Sequence, residues 1–191
     1  WNLDPQYGAT LDKYPHLRVL SIAGKPPSLN LVPPTVTDLS LEFTEVQPNW
    51  DAKEYDWALL PRELVHLKIH SNKLPLKVSN WTSLPPTLLT FDTYLLGMLT
   101  RELTDALPRS LTAFTAYRSP LVWKIRSEPK SEKRIFPGLP EGLTSLRIDI
   151  IPHQSTLPVE LASELPRGLK ELVLGTEYRS VSSFDDLPHQ L

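Results

Sequence analysis

The stretch Leu60-Pro61-Arg62-Glu63-Leu64-Val65-His66-Leu67-Lys68-Ile69 decides the architecture, because its pattern returns as Leu139-Pro140-Glu141-Gly142-Leu143-Thr144-Ser145-Leu146-Arg147-Ile148. Take the first apolar residue after the proline turn as position one. Positions one, four and six are then apolar, and a proline stands three residues before position one. Further copies begin at Val36 (Pro33), Leu88 (Pro85), Leu111 (Pro108) and Leu169 (Pro166). A looser copy precedes them at Leu17, Leu20 and Ile22, with Pro15 only two residues ahead, and another starts at Leu187-Pro188 and stops at Leu191. A unit this short cannot bury its own apolar side, so it must stack on copies of itself.

Successive prolines from Pro33 to Pro188 stand 22 to 32 residues apart, room for a strand and a short return. Positions four and six alternate with polar residues, the two-residue period of a strand. The proline fixes its own backbone and ends what precedes it, so it marks the corner before each strand. Strands that all run the same way must pair in parallel, with a crossover in each return. Two returns predict helical turns: 156–165, with a hydroxyl cap and an early proline, and 99–107. The return through Ser79–Ser83 has room for a single turn. The expected fold is an α/β solenoid with a parallel sheet on its concave side and short helices or turns on its convex side. It reads as one domain over residues 1–191, with about eight irregular repeats, the last cut off inside its strand.

This pattern resembles the leucine-rich repeat family over nearly the whole chain. Leu64-Val65-His66-Leu67-Lys68-Ile69-His70-Ser71-Asn72-Lys73-Leu74 matches that family's consensus, including the asparagine that bonds backbone in the turn after the strand. The Leu-Pro-x-x-Leu phase is similar to two subtypes: the proline-containing repeats of secreted bacterial effectors, some of them ubiquitin ligases, and FNIP-type repeats. The asparagine position is otherwise filled by Leu96, Ser119, Ile151 and Glu177, and the spacing is looser than in the bacterial subtype. The resemblance implies a non-catalytic module that binds a protein partner through its concave face and long loops. It also permits an alternative, the substrate-recognition region of a ubiquitin ligase whose catalytic or adaptor domain lies outside this chain.

The totals narrow the classes further. Twenty lysines and arginines against 22 acidic residues leave a net charge of −2. That argues against a broad nucleic-acid surface and a polybasic membrane contact. No apolar run approaches the roughly 18 residues needed to span a bilayer. The chain has no cysteine, which removes disulfides and thiolate metal sites. A reducing, cytoplasmic address is the expectation that follows, and a monomer is expected. The first residue is Trp1 and no signal-peptide pattern is present, so the chain reads as an excised or processed piece.

Positions three, five and seven point away from the core and form an exposed ladder. At position seven the ladder reads Ala23, Glu42, His70, Tyr94, Tyr117, Asp149, Gly175; at position five, Ser21, Ser40, Lys68, Asp92, Thr115, Arg147, Val173. Position three supplies Val19, Asp38, His66, Thr90, Ala113, Ser145 and Glu171. Tyr94 and Tyr117 are expected side by side, about 4.8 Å apart at the backbone. His70 and Asp149 flank them, and Lys68 neighbours Asp92 with opposite charge. Exposed central tyrosines are good interface anchors; they also serve simply to shield the sheet. The candidate partner-binding residues are therefore His70, Tyr94, Tyr117, Asp149, Lys68, Asp92 and Arg147.

Eight such strands project only about 400 Å², whereas a standard interface takes about 800 Å² per partner. Loops must contribute. Two insertions offer area: 47–57, an expected short capped helix with Trp50, Tyr55 and Trp57, and 119–137, with Trp123 and the cations Lys124, Arg126, Lys130, Lys133 and Arg134.

Other chemistries find little footing. His66 and His70 have the four-residue spacing of a helical metal pair, but on a strand that spacing separates them by roughly 13 Å, so no metal site is expected. The scattered glycines form no phosphate loop, no serine sits on a strained elbow, and no cofactor is implied. Asn80-Trp81-Thr82 is a glycosylation sequon that matters only in a secretory protein.

Overall fold

The computed structural model describes residues 11, 13–23, 29–43, 56–71, 78–94, 101–117, 138–148 and 165–174. Within them seven strands form one parallel sheet in strict chain order: β1 (Val19–Ala23), β2 (Asp38–Phe43), β3 (His66–Ser71), β4 (Thr90–Tyr94), β5 (Ala113–Tyr117), β6 (Ser145–Ile148) and β7 (Glu171–Leu174). Each strand pairs with the next, and the register matches equal repeat positions throughout: Leu39 with Leu67, Leu67 with Phe91, Phe114 with Leu146. The fold is the parallel-strand solenoid that the spacing predicts.

The proline turn explains how each copy enters its strand. The position-one N–H donates to the proline carbonyl three residues earlier, as in Leu64 to Pro61 (3.2 Å), Leu88 to Pro85 (3.2 Å) and Leu143 to Pro140 (3.0 Å). In the loose first copy Leu17 donates instead to Tyr14, so the turn survives there although its proline has shifted by one place. The residue before each proline closes the preceding turn: Val32 donates to Leu29, Leu60 to Trp57, Leu84 to Trp81 and Leu107 to Thr104. Proline has no N–H with which to continue that helical ladder, and it forces its predecessor toward extended backbone. Leu60 accordingly has φ −59° and ψ 143°.

Returns are short. Three-residue 3₁₀ turns occupy Leu29–Leu31 and Trp57–Leu59, and five-residue helices occupy Val78–Thr82 and Arg101–Asp105. The helix expected in 99–107 and the single turn expected near Ser79 are both present. Asp56 caps the Trp57 turn, its Oδ1 accepting from the Ala58 N–H at 3.0 Å. Trp57 packs into the core, while residues 47–55 of the insertion lie outside the described residues. So do the expected helix in 156–165 apart from Leu165, the 119–137 insertion, Asn72 and the last partial copy.

The core is continuous along the solenoid. Position one is fully covered at Val36, Leu64, Leu88, Leu111, Leu143 and Leu169, each at 0% exposure. The residue before each proline is buried as well: Val32, Leu60, Leu84, Leu107, Leu139 and Leu165. Each repeat thus commits a leucine or valine on either side of its turn. Burying one such side chain contributes about 1.5–3 kcal/mol, and that stacking offsets the entropy of ordering so many short elements.

Hydroxyls knit the turns together. At the residue just before position one, Thr35 Oγ1 donates to the Leu17 carbonyl (2.9 Å), Thr87 Oγ1 to Leu64 (2.9 Å) and Ser110 Oγ to Leu88 (2.7 Å). Each acceptor is position one of the preceding repeat. At position two, Thr37, Thr112 and Thr144 donate likewise to the position-two carbonyls of Arg18, Leu89 and Thr112. The first set pairs part-buried position-one carbonyls beside the core, where an unpaired acceptor is costly; the position-two carbonyls already accept from two backbone N–H groups each, and the hydroxyls add to them.

Candidate functional site

The concave face carries three parallel rows, at positions three, five and seven, and the strand register brings each row together as the spacing requires. The rows differ in chemistry.

Row three is largely satisfied from within. His66 Nδ1 lies 2.7 Å from Thr90 Oγ1, and its Nε2 lies 3.8 Å from Asp38 Oδ1. Asp38 Oδ2 accepts in turn from Thr37 Oγ1 at 2.7 Å. Further along, Ser145 Oγ donates to Glu171 Oε2 at 2.8 Å. His66 is therefore engaged sideways along the row and stands on an extended strand, four residues from His70.

Row seven is aromatic at its centre. Tyr94 and Tyr117 pair in register and stack, with ring centroids 5.7 Å apart and planes 25° from parallel. His70 sets its ring edge-on to both, at 4.9 Å from Tyr94 and 5.9 Å from Tyr117. Arg147, from row five of β6, places its guanidinium 5.5 Å from the Tyr117 centroid. Offset stacking and edge-to-face contacts suit ring quadrupoles, and a cation is drawn to the ring face. Four of the seven residues read from the sequence as candidates, His70, Tyr94, Tyr117 and Arg147, thus form one half-buried to exposed cluster. Asp149 lies outside the described residues.

Row five is mostly unsatisfied. Lys68 and Asp92 are register neighbours, as expected, but no ion pair joins them among the described residues. An exposed lysine gains little from a fixed surface pair and gives up side-chain freedom to hold it, so the ammonium stays with solvent. The side chains of Ser21, Ser40 and Thr115 also make no hydrogen bond among the described residues. Because Ser21 and Ser40 are short, the face dips there into an open hollow of 190 Å³, bordered by Val19, Asp38, His66, Lys68 and Asp92.

The hydroxyl bonds between turns and the row-three chain through His66 escape a reading for apolar spacing. A signal for the first exists: Thr35, Thr87 and Ser110 hold one phase, two residues after the repeat's proline.

No protein-family model matches this chain, and no curated protein matches it. Among solved structures it is similar to CroV588, a circular leucine-rich-repeat protein, at 20% identity and a TM-score of 0.51 over 92% of this chain. It is also similar to the leucine-rich-repeat-containing protein LegL7 from Legionella pneumophila, at 15% identity and a TM-score of 0.55 over 94% of this chain. The chain spans 26% of the circular protein's length and 66% of the Legionella protein's. These likenesses place the fold among leucine-rich-repeat solenoids. Among the described residues no helix is long and apolar enough to cross a membrane.

Proposed function

We propose that this chain is a non-catalytic protein-interaction module of one domain, and that it engages a protein partner through its concave face with the adjoining loops. The observation that carries this reading is the row-seven cluster. Two stacked tyrosines, a histidine and an arginine stand at mid-sheet on a face that covers no core. Tyrosine and arginine are the residue types that dominate interface energetics, because they offer large area with few torsions to freeze. Here their mutual packing orders them before any partner arrives, which lowers the entropic cost of binding.

Affinity capture tests it. The chain and its Tyr94→Ala, Tyr117→Ala double variant are used as baits under matched conditions, and captured proteins are compared quantitatively. The double variant is expected to unfold within about 1.5 kcal/mol of the parent, the worth of one aromatic pair, and to lose the captured partner. Full retention by a folded double variant rejects the tyrosine cluster as the anchor. The ubiquitin-ligase alternative rests on the repeat phase alone. An F-box or thioester-forming domain beside this segment in the full-length protein would favour it.

A further inference from the structure

The sequon Asn80-Trp81-Thr82 plays no part in binding through the concave face. The chain's other asparagines, Asn2, Asn30, Asn49 and Asn72, are not followed two residues later by serine or threonine. The triplet lies inside the five-residue helix Val78–Thr82, on the return between β3 and β4. Asn80 is only 9% exposed, and Trp81 beside it only 1%, with its ring against Phe91 and Phe114. The helix Arg101–Asp105 of the next return lies against this one, and its Thr104 is fully buried. Asn80 is also engaged within the chain. Even the sequon's hydroxyl is occupied: Thr82 Oγ1 donates to the Ser79 carbonyl at 3.0 Å.

An asparagine-linked glycan is joined at Nδ2. It is bulky and hydrated, so it takes a surface position. Burying its hydroxyls without partners would be costly. Here Nδ2 gains room for a sugar only if this helical turn leaves the layer that Trp81 completes. We infer that the fold and a glycan at Asn80 exclude each other. The folded chain does not carry one, and a chain glycosylated there before it folds does not close the layer formed by Trp81, Phe91 and Phe114. The sequon is therefore a block on folding in any compartment that transfers oligosaccharide to nascent chains. This inference is independent of the concave-face reading above.

Two measurements on the whole chain test it. Because the sequence holds no cysteine, a single introduced thiol reports on its own position. Ser79 is exposed and serves as the reference. A bulky maleimide should label folded Asn80→Cys about 100-fold more slowly than folded Ser79→Cys, as for a site reached only by local unfolding, and the two rates should converge in urea. Equal rates in the folded variants would overturn the proposal. The second measurement leaves Asn80 in place. The chain is sent through a eukaryotic secretory pathway behind an added signal peptide, beside Thr82→Ala, which removes the sequon at an exposed position. The protease-resistant fraction of the parent is expected to carry no glycan. Any chains that endoglycosidase shortens should be protease-sensitive, and their share should become protease-resistant in Thr82→Ala. A parent that is both protease-resistant and shortened by endoglycosidase would overturn the proposal, whether or not Asn80→Cys folds.

Discussion

The junction between β2 and β3 and the junction between β4 and β5 share one register and are filled differently. At β2–β3 the inward residues are Leu39 and Leu41 against Leu67 and Ile69. At β4–β5 they are Phe91 and Thr93 against Phe114 and Ala116. Bulk has moved from position six to position four, and Trp81 arrives from the return to complete the layer. Its ring lies edge-on to Phe91 at 5.4 Å and to Phe114 at 5.7 Å, and those two rings stack at 5.9 Å. The outward face changes in the same repeats, from the Asp38–His66 pair to the Tyr94–Tyr117 stack. A fixed backbone register therefore tolerates exchange of aliphatic for aromatic filling as long as each layer's volume is kept. The β4–β5 layer shows what that exchange leaves behind: among the described residues, Trp81 Nε1 and Thr93 Oγ1 are buried without a hydrogen-bond partner.

The largest expected effect probes the two cores directly. Phe91→Ala should cost about 3–5 kcal/mol and Leu67→Ala about 2–5 kcal/mol through the cavities they leave, read by urea unfolding. A loss under about 0.5 kcal/mol at Leu67 would mean that position four does not face the core. Next comes the longest return, between β5 and β6, which rejoins the repeat at Gly138. Its φ is +134°, and a Cβ there would sit 2.8 Å from the Asp105 Cα. Gly138→Ala should therefore cost at least about 1–3 kcal/mol, whereas a thermal unfolding midpoint unchanged from the parent would remove the strain argument. The smallest effect sharpens the contrast between the layers. Thr93→Val removes the buried, unpaired hydroxyl at nearly constant shape and should stabilise the chain by about 1 kcal/mol. Destabilisation by a similar amount would show that the hydroxyl has a partner.

Much of this was legible because a strand has a strict period of two and a repeat has a fixed phase. Leu64, Leu67 and Ile69 had to point inward together once Pro61 fixed the turn, and equal positions had to pair once the copies stacked in parallel. Tyr94 beside Tyr117 follows from counting alone. Where a side chain turns after leaving the backbone does not. Lys68 and Asp92 are neighbours by counting and still form no ion pair, while His66 reaches across two strand junctions to Asp38 and Thr90.

The sequence by itself determined the solenoid, the inward and outward faces and the order of residues in every row, since proline phase and apolar spacing act locally and repeat identically. Only the tertiary structure decided which outward groups spend their hydrogen bonds on one another and which remain open. That choice is made by rotamers and neighbouring side-chain lengths across strands distant in sequence: two short serines beside a long lysine create the hollow, and a histidine edge against two rings creates the aromatic shelf.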